Sequence, residues 1–157
     1  MKMKEAKDIL VTAINQFNEK EKYLIENNLS ERCICSRLAF YIQQALLVSP
    51  FKDFTVDVEY NRNAKERSPK LLYDKKIIVD LIVHKRGWHG GLKGDNLFCI
   101  EMKKSNNRFG WESDKARLND MVNPDFGYNY QYGFMLVVDM KRNELIIESE
   151  YPIPEAV

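Results

Sequence analysis

Apolar residues recur at helical spacing along the first stretch of the chain: Ile9, Leu10, Ala13, Ile14, Phe17 and Leu24, with Lys and Glu between them. This pattern predicts an amphipathic helix from Lys4 to Asn27, stopped by Asn27-Asn28. A second stripe, Ile34, Leu38, Tyr41, Ile42, Ala45 and Leu46, predicts a helix from Ser30 to Val48, ended by Ser49-Pro50. The period then changes from helical to alternating. Phe54, Val56, Val58 and Tyr60 alternate with Thr55, Asp57 and Glu59, which predicts a strand with one buried and one polar face. Two dense apolar runs follow, Ile77–Val83 and Leu97–Met102, rich in β-branched and aromatic residues. The segment between them carries Gly87, Gly90, Gly91 and Gly94, so the two runs predict a hairpin with a long connection. Trp111, Ala116, Leu118 and Met121 give the modest apolar side of a third helix, Glu112 to Met121, with Asp114, Lys115 and Arg117 read as polar. Tyr130–Met140 is almost continuously apolar, as a central strand buried on both faces would be. A strand–helix–strand connection of this length suits a right-handed parallel crossover. Glu144–Ser149 reads as a short edge strand and Tyr151–Pro154 as a tail.

The expected fold class is therefore α/β: an α-β-β-β-α-β core with a central mixed sheet flanked by helices, plus an extra N-terminal helix. One domain spans residues 1–157, with the N-terminal helix at 1–28, the core at 30–140 and the edge strand and tail at 141–157. At 157 residues such a chain buries a real core without staples. The N-terminal helix reads as a packing or oligomerisation helix, and a homodimer through it is the expectation.

Composition narrows the function classes. Net charge is +1, so affinity for nucleic acid would have to come from local patches rather than a global field. Three cysteines, Cys33, Cys35 and Cys99, lack zinc spacing and are odd in number; free thiols in a reducing cytoplasm fit them. The charged start, MKMKEAKDIL, is not a signal peptide. The longest uncharged run, Leu38–Phe51, has 14 residues and two glutamines, too short and too polar to span a bilayer.

Candidate chemistry sits on the hairpin. Side chains alternate faces along a strand, so Ile78, Asp80 and Ile82 share one side, and Leu97, Cys99, Glu101 and Lys103 share one side of the next strand. A symmetric antiparallel register pairs Lys85 with Asn96 and, carried inward, sets Asp80 opposite Glu101. Directly opposed like charges repel, so two carboxylates inside an apolar strand pair need a compensating cation. Lys103, two residues on and on the same face, is one candidate; a divalent metal is the other.

Asp80 followed on the next strand by Glu101-Met102-Lys103 resembles the PD-(D/E)XK nuclease superfamily, over a stretch from about Ser30 to Asp139. The usual Pro before the Asp is Val79 here, a departure that leaves the ligands intact. The resemblance implies that Asp80, Glu101 and the Met102 backbone carbonyl hold Mg²⁺ or Mn²⁺, an all-oxygen set. It implies that Lys103 sits beside the attacking water, that hydrolysis is direct, and that the substrate is nucleic acid, with DNA expected. Many members also carry a glutamate on the first core helix directed at the active site. Glu31 lies on the inward stripe of its helix, and two accounts stay open for it: that role, or a cap at the helix start reaching back behind Asn28. Two accounts stay open for Glu59 as well, a place in the acidic centre or part of a solvated strand face, the second being the expectation.

Asn61–Lys76 is expected to be a loop carrying six basic residues against two acids. Arg62, Lys65, Arg67 and Lys70 there, with Lys104, are the expected phosphate contacts. Lys85, Arg86, Lys93, Lys103 and Arg108 belong to the same end of the hairpin. His84 shares the face of Asp80 but lies about 13 Å along the strand, and His89 lies in the glycine connection; neither has ligand spacing. GLKGD lacks the G-K-[ST] of a phosphate-binding loop. The competing class is a non-catalytic module, binding nucleic acid or protein on a nuclease-like fold.

Overall fold

The apolar stripes of the first two long helices meet one face of a sheet, and a third helix covers the other. A computed structural model describes residues 3–59, 71–72, 75–76, 79–87 and 94–153. In chain order the elements are α1 (Met3–Lys20), α2 (Lys22–Glu26), α3 (Glu31–Leu47), β1 (Thr55–Val58), β2 (Leu71–Leu72), β3 (Lys75–Lys76), β4 (Leu81–His84), β5 (Asn96–Lys104), α4 (Trp111–Val122), a 3-10 turn (Pro124–Phe126), β6 (Tyr132–Asp139) and β7 (Glu144–Tyr151). Strands β1-β4-β5-β6-β7 form one mixed sheet in that spatial order. β5 and β6 run parallel with α4 as their crossover, and every other neighbouring pair in that sheet is antiparallel. This is the expected α/β architecture, with β1 and β7 at its edges.

The two faces of β5 divide the core. Phe98, Ile100 and Met102 point into the larger cluster with α1 and α3, including Leu10, Phe17, Leu38 and Ile42. Cys99 points the other way, into the cluster of Trp111, Leu118 and Met121 of α4 with Ile82, Met135 and Val137. β6 is buried along its six middle residues, as its continuous apolar run requires. α4 packs closely on it at Gly133, where a Cβ would stand 3.4 Å from a Leu118 methyl carbon. A Cβ there would just touch Leu118 and Tyr151, so a side chain longer than Ala would press on α4.

Several sequence expectations are corrected. The N-terminal helix is broken at Glu21, whose carboxylate accepts from Tyr41 (2.7 Å) and Arg37 (2.7 and 2.9 Å) on α3. These bonds hold Glu21 at φ −121°, ψ 22°, outside helical geometry, and the separate α2 turns Ile25 into the core. The apolar stripe of α1 is buried within this same chain, so a homodimer through α1 would have to use its outer face. Within the stretch expected to be a loop, β2 and β3 pair as a small antiparallel hairpin. The inward register is as expected, Leu81 opposite Ile100 and Ile82 opposite Cys99, but a bulge between Val83 and His84 shifts its far end. Asn96 therefore stands opposite His84, and Lys85 donates instead to the Asp95 carbonyl. Tyr130 lies before β6, its amide donating to the Met121 carbonyl at the end of α4. β7 continues to Tyr151, which is buried rather than part of a tail. Among the described residues no helix is long and apolar enough to cross a membrane.

Candidate active site

Asp80 immediately precedes β4, held there by its carbonyl, which accepts from the Glu59 amide at 3.1 Å and so extends the β1–β4 pairing by one residue. Carried one step past Leu81–Ile100, the β4–β5 register puts it beside Glu101. The two carboxyl groups hydrogen-bond to each other, and Asp80 Oδ2 also accepts from the Met102 amide at 2.8 Å. A strand residue directs its N–H and C=O toward the same side, so the Met102 carbonyl emerges on the Asp80 side of β5. Its side chain goes to the opposite face, where Cys35 Sγ lies 3.6 Å from its sulfur. Burial pushes the Cys35 thiol well up, which keeps it unreactive.

The Asp80–Glu101 face looks onto α4, and α4 supplies two residues read as polar surface. Arg117 Nη1 is 2.6 Å from Glu101 Oε1 and 3.6 Å from Asp114 Oδ1. Lys103 Nζ is 3.3 Å from Asp114 Oδ2. The cation that compensates Glu101 is thus Arg117, while Lys103 compensates Asp114. Asp114 is 7% exposed and Glu101 2% exposed. A signal for Asp114 was present in the sequence: it follows Trp111 by three residues and precedes Leu118 by four and Met121 by seven. That spacing puts it on the buried stripe. Lys115 lies elsewhere, paired with Glu148.

Glu31 resolves toward the site rather than the helix cap. Ser30 caps α3, its hydroxyl accepting from the Cys33 amide at 3.1 Å. The Glu31 carboxylate instead lies near the Lys104 backbone amide and within the electrostatic reach of Lys103 and Asp80. The α3 start is further tied to β5 by Lys104 Nζ, which donates to Asn28 Oδ1 at 2.9 Å. Asp80, Glu101, Lys103, Glu31 and the Met102 backbone are therefore gathered at one end of β5, from three separate elements.

Four carboxylates, Asp80, Glu101, Asp114 and Glu31, meet two inward cations, Lys103 and Arg117. Burial pushes the Asp80 carboxyl above the usual carboxylate range, against the Met102 amide that favours its charged form. Burial first, and the neighbouring Asp80 next, push Glu101 well up despite Arg117. Glu31 is raised by burial, with Lys103 opposing. Acids crowded beyond their local countercharge suit a hard divalent cation, and the donors at hand are all oxygen. Asp80, Glu101 and the Met102 carbonyl are the oxygens through which such an ion would be held. Among the described residues, however, no group of three or more His, Cys, Asp or Glu side chains is arranged to hold a metal ion.

The other candidates fall outside this cluster. Glu59 is bound by Arg32 across the surface, at 2.7 and 3.1 Å. His84, 4% exposed, puts Nε2 2.7 Å from Asp57 Oδ2, and Arg86 Nε donates to that oxygen at 2.8 Å. Arg86, against partial burial and helped by His84, holds Asp57 below the usual carboxylate range. Arg86 and His84 thus close off the polar face of β1, away from Asp80. Lys85 lies over the Phe54 ring and Arg108 over the Trp111 ring. Arg62, Lys65, Arg67, Lys70, His89 and Lys93 lie outside the described residues. Comparisons with protein-family models, curated proteins and solved structures find no match to this chain.

Proposed function

We propose that this chain is a Mg²⁺- or Mn²⁺-dependent nuclease of the PD-(D/E)XK type that hydrolyses phosphodiester bonds in DNA, working in the cytoplasm. The observation that carries the proposal is the Asp80–Glu101 carboxyl contact, with Lys103 two residues further along β5. Asp80, Glu101 and the Met102 carbonyl would hold a divalent cation, which would supply an acidified water and offset charge on the scissile phosphate. Lys103 orients the attacking water or stabilises the charge developing on phosphorus, with Asp114 fixing its ammonium in place. Arg117, beside Glu101 at 2.6 Å, would offer its guanidinium to a phosphate oxygen. Glu31 closes the acidic side of the site from α3.

A second reading is favoured by one observation: Glu101 and Asp114 already have Arg117 and Lys103 as partners. On that reading the cluster is a structural ion-pair network within a binding module. Thermal unfolding separates the two. Wild type should gain stability with Mg²⁺ or Mn²⁺, approaching about 2.7 kcal/mol at a hundredfold excess over the dissociation constant. Asp80→Asn should gain much less, and without metal should be as stable as wild type or more so, because it relieves carboxylate repulsion. A wild type indifferent to both ions, with Asp80→Asn clearly destabilised, would establish the structural network instead.

The expected phosphate contacts are tested by salt dependence. Changing Arg62, Lys65, Arg67 and Lys70 to Ala should flatten the slope of log affinity against log salt by about 0.9 per lost contact. An unchanged slope and affinity would remove these residues from the interface.

A further inference from the structure

A cavity of about 590 Å³ opens on the α4 face beyond the carboxyl ends of the parallel strands β5 and β6, and its wall residue Val137 is the register partner of Lys103. Such a crevice is where open α/β sheets commonly take ligands, and its volume is within the range of small-molecule sites. Trp111, Val137 and Ile146 give it apolar walls, and Arg108 and Lys141 give it exposed cations. Of its acids, Glu148 is bound to Lys115, and Asp139 accepts from the amides of Lys141 and Arg142. The loop at 105–110 joins this cavity to the chemistry. Gly110, in the left-handed region at φ 77°, passes so close to Lys103 that a Cβ there would be 3.7 Å from Nζ.

The same loop holds Phe109, which is 88% exposed. Its backbone is fixed: the Phe109 amide donates to Asn107 Oδ1 at 3.2 Å, and Trp111 Nε1 donates to the Asn107 carbonyl at 2.5 Å. A full phenyl ring is thus presented to solvent on an anchored loop, next in sequence to Arg108, whose guanidinium lies 4.1 Å over the Trp111 ring. Phe109 itself lies outside the cavity wall, between the wall residues Arg108 and Trp111 in the chain. An exposed ring flanking a groove with cations is an arrangement that binds single-stranded nucleic acid, bases stacking while cations follow the backbone.

We propose that this cavity and Phe109 bind an unpaired stretch of DNA adjoining the scissile phosphate, so that the substrate is single-stranded or carries a single-stranded flap. Phe109 stacks on a base, and Arg108 and Lys141 contact flanking phosphates. The inference deepens the nuclease proposal in that it rests on nucleic acid being the substrate, yet it is tested without turnover. Binding of a labelled oligothymidylate of about a dozen nucleotides, and of a duplex of the same length, is measured in EDTA at fixed salt. Phe109→Ala should weaken single-strand binding by about 5- to 150-fold, the range for loss of one stacked base. Duplex binding should change less than about twofold, and Phe109→Trp should restore the single-strand affinity. Phe109 is exposed, so the substitution leaves the core untouched, and an unchanged unfolding temperature checks it. Equal single-strand affinity in Phe109→Ala, an equal loss on duplex, or no binding of the oligothymidylate by wild type would each overturn the proposal. If binding depends on Phe109 but wild type cleaves nothing with Mg²⁺ or Mn²⁺, the nuclease proposal falls, and what stands is a single-strand binding site without a scissile phosphate.

Discussion

With Mg²⁺ or Mn²⁺ present, Lys103→Ala is expected to slow DNA cleavage by about 10²–10⁴-fold, the range for loss of one positioned proton-transfer or charge-stabilising group. It should leave the metal-induced rise in unfolding temperature largely in place, because a protonated lysine has no lone pair to offer a metal. Asp80→Asn should lose both. The division follows from the geometry: Asp80 touches Glu101 and the Met102 amide, whereas Lys103 is held off by Asp114 at 3.3 Å. Asp114 retains Arg117 at 3.6 Å when Lys103 is removed, so the variant should stay folded. The measurement is single-turnover cleavage beside thermal unfolding with and without metal. Wild-type rates in Lys103→Ala, or loss of the metal effect equal to that in Asp80→Asn, would defeat the assignment. Cleavage that survives EDTA in the wild type would remove the metal from the reaction.

Arg117→Met is expected to be among the most destabilising single changes that leave the apolar core intact. Glu101 is buried but Arg117 is 31% exposed, so removing it should cost less than the roughly 3–5 kcal/mol typical of breaking a fully buried pair. Glu101 limits that cost by taking up a proton, as its raised carboxyl already inclines it to do. The sign with pH follows by linkage. A carboxyl raised in the native state holds its proton where the unfolded chain has lost it, so the native state binds more protons than the unfolded one across that window. Stability contributed by the protonated form is complete below the unfolded value, near 4.3 for a glutamate, and is lost as pH rises through the raised native value. Metal-free Arg117→Met should therefore be least stable at alkaline pH and recover on acidification. Adding Glu101→Gln to it should restore most of the loss at alkaline pH and flatten the dependence. A pH-independent change below about 0.5 kcal/mol would mean that solvent, not Arg117, compensates Glu101.

The hydrophobic pattern determined the order of the core elements from α3 to β6, though not the α1–α2 break or the β2–β3 hairpin. Helical stripes and alternating strands are local consequences of periods of 3.6 and 2, so α3, β5, α4 and β6 were legible with their buried faces. The same alternation placed Asp80, Glu101 and Lys103 on one face, because register within a hairpin follows from facing apolar positions. The strand spacing was also enough to set His84 apart from them.

What the sequence left open was decided by contacts between residues distant in the chain. Whether Glu31 capped its helix or faced the acids depended on the position of the Lys104 amide, 73 residues away, and Ser30 took the cap. The break at Glu21 came from Arg37 and Tyr41 on another helix. The bulge at Val83–His84 shifted one end of the hairpin by one residue while leaving the carboxyl end in register. Above all, α4 docks over β5 closely enough, past Gly133, to bring Arg117 to Glu101 and Asp114 to Lys103. Spacing put Asp114 on the inward stripe, but only packing could name its partner. A side chain's periodicity specifies which face it lies on; charge compensation in a buried site depends on which other element that face meets.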